Sequence, residues 1–155
     1  MRSQGIAMQK SSEAAQVDTV TIADRCKRFI EAASRLIKDQ ETCGFLFGTA
    51  AGRVAYIESV REARNILESS NRFAISGDDF WSALNGQDGS GLLGVFHTHI
   101  GPAKPSRLDL QMMRDCSYLW LIAGTASPPA DRTLSDWRCF SSANEKIKCI
   151  TVCFA

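Results

Sequence analysis

The chain of 155 residues holds only two histidines, and they stand two apart, as His97-Thr98-His99. Ten residues past His99 comes a carboxylate, Asp109, with Ser106 three residues before it. On a β-strand successive side chains alternate faces, so residues i and i+2 project to one side, roughly 7 Å apart along the strand. Two imidazoles so placed can share a zinc ion at about 2.0–2.1 Å from each nitrogen. A catalytic zinc takes three protein ligands and keeps a fourth position for water; His97, His99 and Asp109 supply three. Two neutral imidazoles and one carboxylate leave such a site at a charge of about +1, which favours ionisation of its water near neutral pH. Amide hydrolysis also needs a base that carries the water proton to the leaving amine, and a donor for the oxyanion. Glu41, at the lip of another apolar segment, and Ser106 are the candidates for those roles.

Each residue also has a plainer reading. A His-x-His on a strand can be a packed pair with no metal. Ser106 and Asp109 have the spacing of a helix N-cap with an acid in the first turn, a role compatible with ligation. Glu41 alone reads as a solvated carboxylate at a helix end. Gly44 and Gly48 fit close strand packing, Trp81, Trp120 and Trp137 fit a core, and Cys43 fits a buried thiol beside the site. Their joint occurrence favours the metal reading.

The elements that must position these groups follow from periodicity. Val17 to Thr21 reads as a short strand. From Ile22, apolar residues at Cys26, Phe29, Ile30, Ala33, Leu36 and Ile37 keep the helical rhythm. Glu41 to Gly48 is a continuous apolar run, a strand buried on both faces, and Val54 to Val60 is its antiparallel partner across a turn at Thr49–Gly52. Ser76 with Asp79 opens a helix whose buried face is Phe80, Trp81 and Leu84. Asn85 to Gly91 is glycine-rich and reads as a flexible flap. Leu92 to His99 is the histidine strand, Ser106 to Asp115 a helix, and Tyr118 to Ala123 another buried strand. Ser127 to Asp131 is a turn, and Thr133 to Phe140 and Lys148 to Phe154 are closing strands. The sum is a mixed α/β (α+β) domain, a largely antiparallel sheet packed by helices.

Bulk composition narrows the function classes. At 45% hydrophobic the chain suits one domain with a sizeable core. We expect residues 1–16 to be a disordered polar tail, with no hydrophobic stretch of the signal-peptide kind, and residues 17–155 to form the domain. A formal net charge of +1 gives no electrostatic reason to bind nucleic acid or an anionic membrane. No apolar run approaches the ~20 residues that span a bilayer. The six cysteines form no C-x-x-C pair and sit in apolar segments, as expected of free thiols in a reducing cytoplasm.

Taken together, Glu41-x-x-Gly44-x-x-x-Gly48, His97-Thr98-His99 and Ser106-x-x-Asp109 resemble the motif of the JAMM (JAB1/MPN+) zinc metallopeptidases. Nearly the whole chain is similar to their compact prokaryotic branch, through Ala63 and Asn65, Phe73 before the second helix, and Trp137 on a late strand. The resemblance implies a single MPN/JAB domain of cytidine-deaminase-like build. It implies Zn²⁺ on His97, His99 and Asp109, Glu41 as general acid/base and Ser106 as oxyanion donor. The activity it implies is hydrolysis after the C-terminal glycine of a ubiquitin-like protein, in deconjugation or precursor processing, including antiphage operons. Its alternatives are processing of a sulfur-carrier protein and a non-catalytic scaffold. One departure is a linker of six residues, Ile100 to Pro105, where the family usually has seven.

Overall fold

The computed structural model describes residues 16–37, 39–86, 91–125 and 133–155. The expected tail (except Gln16), the centre of the 85–91 loop and the 127–131 turn lie outside them. Among the described residues the order is β1 (Thr19–Ile22), α1 (Asp24–Leu36), β2 (Cys43–Ala51), β3 (Val54–Ala63), α2 (Gly77–Leu84), β4 (Gly91–His99), α3 (Arg107–Asp115), β5 (Leu119–Thr125), β6 (Leu134–Ala143) and β7 (Lys146–Phe154). This is the single α+β domain expected, with three helices and a mixed sheet of seven strands.

Strand order is β1-β3-β2-β4-β5-β6-β7, and β1 pairs with both β3 and β7, so the sheet closes on itself. The β2–β3, β2–β4, β5–β6 and β6–β7 pairs are antiparallel, whereas β1–β3, β1–β7 and β4–β5 are parallel. The parallel β4–β5 pair requires a crossover, and α3 is that crossover. Both sheet faces are covered. Leu46, Phe96, Leu119 and Leu121 pack with Cys26 and Ile30 of α1. Residues of opposite parity, Cys43, Phe45, Val95, Trp120 and Ile122, pack with Ala83 of α2 and Met113 of α3. Double coverage explains why β2 and β5 read as unbroken apolar runs.

Several local expectations shift. The β2–β3 hairpin turns at Gly52–Arg53, with β2 running on to Ala51. Gly52 has φ 61°, the conformation that a two-residue hairpin asks of its first loop residue. A second tight turn joins β6 to β7 through Asn144 and Glu145, at φ 51° and 64°, so those strands are longer than the pattern implied. In α2, Phe80 sits edge-on to Phe45 at 5.2 Å and Ala83, one turn on, is buried; Trp81 and Leu84 are exposed. Trp81 is therefore no core residue, because about 100° of helix separates it from Phe80. In α1 the stripe narrows to Cys26, Ile30 and Ala33, with Phe29 and Leu36 exposed. All six cysteines are free, but Cys149 and Cys153 are exposed on β7 rather than packed away.

Two glycines of β2 allow close strand approach. A Cβ on Gly44 would lie 2.1 Å from the Arg61 carbonyl oxygen, and one on Gly48 would lie 1.8 Å from that of Tyr56. Both clashes are with backbone, which cannot rotate away. Gly44→Ala is expected to destabilise the domain by about 1–3 kcal/mol or more, as overpacking does. Denaturant unfolding measures this.

Candidate metal centre

His97 and His99 share strand parity with Val95, so both face the side of the sheet that α3 covers. Chain reversal after β4 lays the first turn of α3 over the carboxyl end of that strand. Asp109, on that turn, is buried there. The linker is fixed at several points. Gly101 exchanges hydrogen bonds with Thr125, its N–H donating to the hydroxyl at 2.7 Å while its carbonyl accepts from the Thr125 N–H at 2.8 Å. The Ala103 N–H donates to Asp136 at 2.9 Å. The six-residue linker thus crosses from strand to helix under restraint from β5 and β6.

The ligating atoms converge. His97 Nε2 and His99 Nε2 are 3.0 Å apart, and each lies 3.3 Å from an oxygen of Asp109. Four ligands placed tetrahedrally about a zinc at 2.0–2.1 Å stand roughly 3.3–3.4 Å from one another, a spacing close to those between the two nitrogens and from each to its nearer Asp109 oxygen, Oδ1 for His97 and Oδ2 for His99. His99 Nδ1 lies 3.2 Å from the Pro102 carbonyl. As the donor of that bond it leaves Nε2 with its lone pair turned inward, the outer-shell arrangement that orients a metal-binding imidazole. His97 is fully buried and stacks on Phe73 at 4.2 Å between ring centroids. This gives Phe73 a function that the sequence only hinted at.

Glu41 comes from the segment before β2. Its carboxylate lies 3.8 Å from His99 Nε2, and Glu41, His97 and His99 each offer a ligand atom, all within 4.8 Å of one another. The structure therefore brings four predicted residues to one place, and the group of Glu41, His97 and His99 could hold a metal ion. Glu41 Oε2 is buried with no hydrogen-bond partner among the described residues, as is His97 Nδ1. A buried, unpaired carboxylate oxygen is costly unless water or a cation answers it.

Ser106 is placed as the N-cap of α3. Its hydroxyl accepts from the Asp109 N–H at 3.0 Å and its own N–H donates to Asp109 Oδ2 at 2.7 Å, a capping box. The box holds the aspartate in register with the histidines. Cys43 pairs with His97 across β2–β4, is fully buried, and has its thiol pushed up to about 12 by burial first and by the nearby carboxylates second. It is a packing residue, as expected.

Burial and the neighbouring charges set the protonation of these four groups. Burial pushes the Glu41 carboxyl up to about 7, with Asp109 adding to the rise and His99 opposing it. Burial lowers His97, keeping it neutral and able to ligate. For His99 burial works in the same direction, but hydrogen bonding to Asp109 and the charges of Glu41 and Asp109 outweigh it and raise its pKa. Asp109 is itself held well below the usual carboxylate range: the two imidazoles and the Ser106 N–H more than offset its burial.

Comparison with known proteins bears on the family and the fold. Residues 25–140 match the family model described as prokaryotic homologs of the JAB domain. The solution structure of a protein from Desulfitobacterium hafniense superposes with a TM-score of 0.75 at 24% identity, over 88% of this chain and 92% of that one. One from Salinibacter ruber gives 0.62 at 20% identity, over 87% and 90%. Both likenesses are of fold. No curated protein sequence matches. Among the described residues no helix is long and apolar enough to cross a membrane.

Proposed function

The chain belongs to the family of prokaryotic homologs of the JAB domain, and from that membership we propose that it is a zinc-dependent peptidase or isopeptidase. Its substrate in this reading is a ubiquitin-like protein, cut after the C-terminal glycine to release a conjugated lysine or a C-terminal extension, within a bacterial antiphage operon. Membership and the Glu41/His97/His99 group together point to a metallohydrolase. The observation that carries the finer reading is the convergence of both Nε2 atoms on Asp109 with Glu41 alongside.

His97, His99 and Asp109 would hold the ion, Asp109 being preferred to Glu41 because it stands closer to both imidazoles. Zinc, when bound, supplies a Lewis acid that activates water and polarises a carbonyl. Glu41 takes the proton from the attacking water and passes it to the leaving amine. A buried glutamate 3.8 Å from His99 Nε2 is placed to make both transfers. Ser106 accepts a bond from Asp109, which leaves its hydroxyl hydrogen free to meet an oxyanion. Ser106→Ala is accordingly expected to lower kcat by about 10²–10³ with metal content unchanged. The same change weakens the α3 cap by about 1 kcal/mol. Ser106→Gly, which costs an N-cap only about a few tenths of a kcal/mol but has no hydroxyl, separates the two effects in thermal unfolding and kinetics.

The test presents zinc-loaded protein with three substrates: a ubiquitin-like protein carrying a C-terminal extension, the same protein linked to a lysine, and a sulfur-carrier precursor. Mass spectrometry maps the cuts. Cleavage after glycine in either of the first two supports the proposal. Cleavage of the precursor alone moves the reading to biosynthetic processing, and full zinc with no turnover makes the domain a scaffold.

A further inference from the structure

Glu41 and Thr42 lie before the first residue of β2, so neither flanking ladder includes them. Their four main-chain polar groups are nevertheless all engaged. The Glu41 N–H donates to the Ser69 carbonyl at 2.7 Å, and the Glu41 carbonyl accepts from Asn65 Nδ2 at 3.2 Å. The Thr42 N–H donates to the Thr98 hydroxyl at 3.0 Å, and the Thr42 carbonyl accepts from the Thr98 N–H at 2.9 Å. The dipeptide is pinned on one side by the residue between the two histidines and on the other by the segment 65–74.

Asn65 organises that second side. Its Nδ2 also faces the carbonyls of Ser69 at 3.4 Å and Arg72 at 2.9 Å. Its Oδ1 accepts from the N–H groups of Leu67 at 3.1 Å and Ala74 at 3.2 Å. Three carbonyls on one atom and two N–H donors on the other fix the orientation of the amide without ambiguity. The residue is buried, so few of these bonds are replaceable by water. Only an amide of this length offers both functions at once: aspartate lacks the donors, and leucine lacks both.

We infer that Asn65 is a positioning residue for Glu41. It ties the Glu41 carbonyl, and through Ser69 the Glu41 N–H, to a loop that it folds around itself, and so sets where the Glu41 carboxylate stands relative to His99. The inference rests on the reading of Glu41 as the proton carrier, but the clamp has consequences that need no substrate. The amides of Glu41, Leu67 and Ala74 should exchange with solvent as one unit in the wild-type protein, and those of Glu41 and its neighbours should exchange on the order of tenfold faster in Asn65→Asp.

The experiment compares wild type, Asn65→Asp and the shorter Asn65→Ser, as full chains, well below their melting temperatures. Hydrogen exchange is followed by NMR. Loading with Co²⁺ is read from its visible absorption. Kinetics use a peptide ending in Gly-Gly-aminomethylcoumarin. The expected result is faster exchange confined to residues 41–42 and 65–74 and an unchanged Co²⁺ spectrum. On the coumarin peptide kcat falls by about 100-fold, the order that a misplacement of about 1 Å costs, while KM stays within a few-fold. Unlinked exchange of the three amides in wild type, or faster exchange with kcat unchanged, overturns the inference. Should wild type leave the peptide uncut, the proposed activity is what fails, and exchange alone decides whether Asn65 holds Glu41. Should neither variant fold, the wild-type exchange pattern decides it.

Discussion

Glu41→Gln is expected to lower kcat by about 10²–10⁴, the contribution of a positioned general base, while the protein still carries one zinc. The substitution keeps the shape of a side chain that is only 4% exposed and removes its capacity to hold and release a proton. Metal content measured beside kinetics makes the result diagnostic. If Glu41 were the third ligand in place of Asp109, zinc would be lost together with activity. The same variant should also behave distinctively without metal. The folded Glu41 carboxyl is raised from 4.5 to about 7 by burial. Protonated glutamate therefore suits the fold better than the anion. Its stabilising effect is complete below the ordinary glutamate range and is lost as pH rises through about 7. Neutral glutamine escapes that loss, so metal-free Glu41→Gln should melt higher than wild type at pH 8 and lose the advantage near pH 4. Thermal unfolding at the two pH values, with chelator present, is the measurement.

Asp109→Asn should empty the centre. The aspartate faces both imidazoles at 3.3 Å and takes the Ser106 N–H on one oxygen. An amide supplies no charge and turns a donor toward one of the partners. Altering outer-shell partners of a metal costs about 10–100-fold in affinity, and loss of a ligand should exceed that. Zinc retained after dialysis should fall from one per chain to near none, with activity falling alongside. Asp115→Asn, at the exposed far end of α3, is the control expected to keep its metal. Full zinc occupancy in Asp109→Asn would remove Asp109 from the ligand set and leave Glu41 as the third donor.

Much of this was legible in the residues because the signals were local. His-x-His sits on one strand, where parity alone fixes its face. Ser106 and Asp109 are joined by a cap whose spacing is its own signature. The unbroken apolar runs of β2 and β5 announced strands covered on both sides, and two faces of packed side chains answer them. Less visible was anything set by distant partners. Trp81 looked like core because it directly follows Phe80 in a helix too short for its period to choose between them, and only the placement of Phe80 against Phe45 decides which side turns inward. Cys149 and Cys153 looked like packing residues, but β7 presents them to solvent. Asn65 carried only a family resemblance. Its work is done through carbonyls and N–H groups, which no sequence pattern displays. The hairpin at Gly52–Arg53 was misplaced because a single glycine marks a turn without saying on which side the strand resumes.

The shortest strand has a consequence for how the molecule comes into being. Thr19 pairs with Val54 on one side and with Thr151 on the other. On the ribosome, the segment made first among the strands must wait for the one made last before its second flank is answered. Contacts so far apart in sequence are slow to form. Until they do, β3 and β7 each show a raw edge able to recruit a neighbouring nascent chain. Assembly of the ring is thus the late and vulnerable event in the life of this protein, although the residues proposed for chemistry lie in elements that can meet well before it.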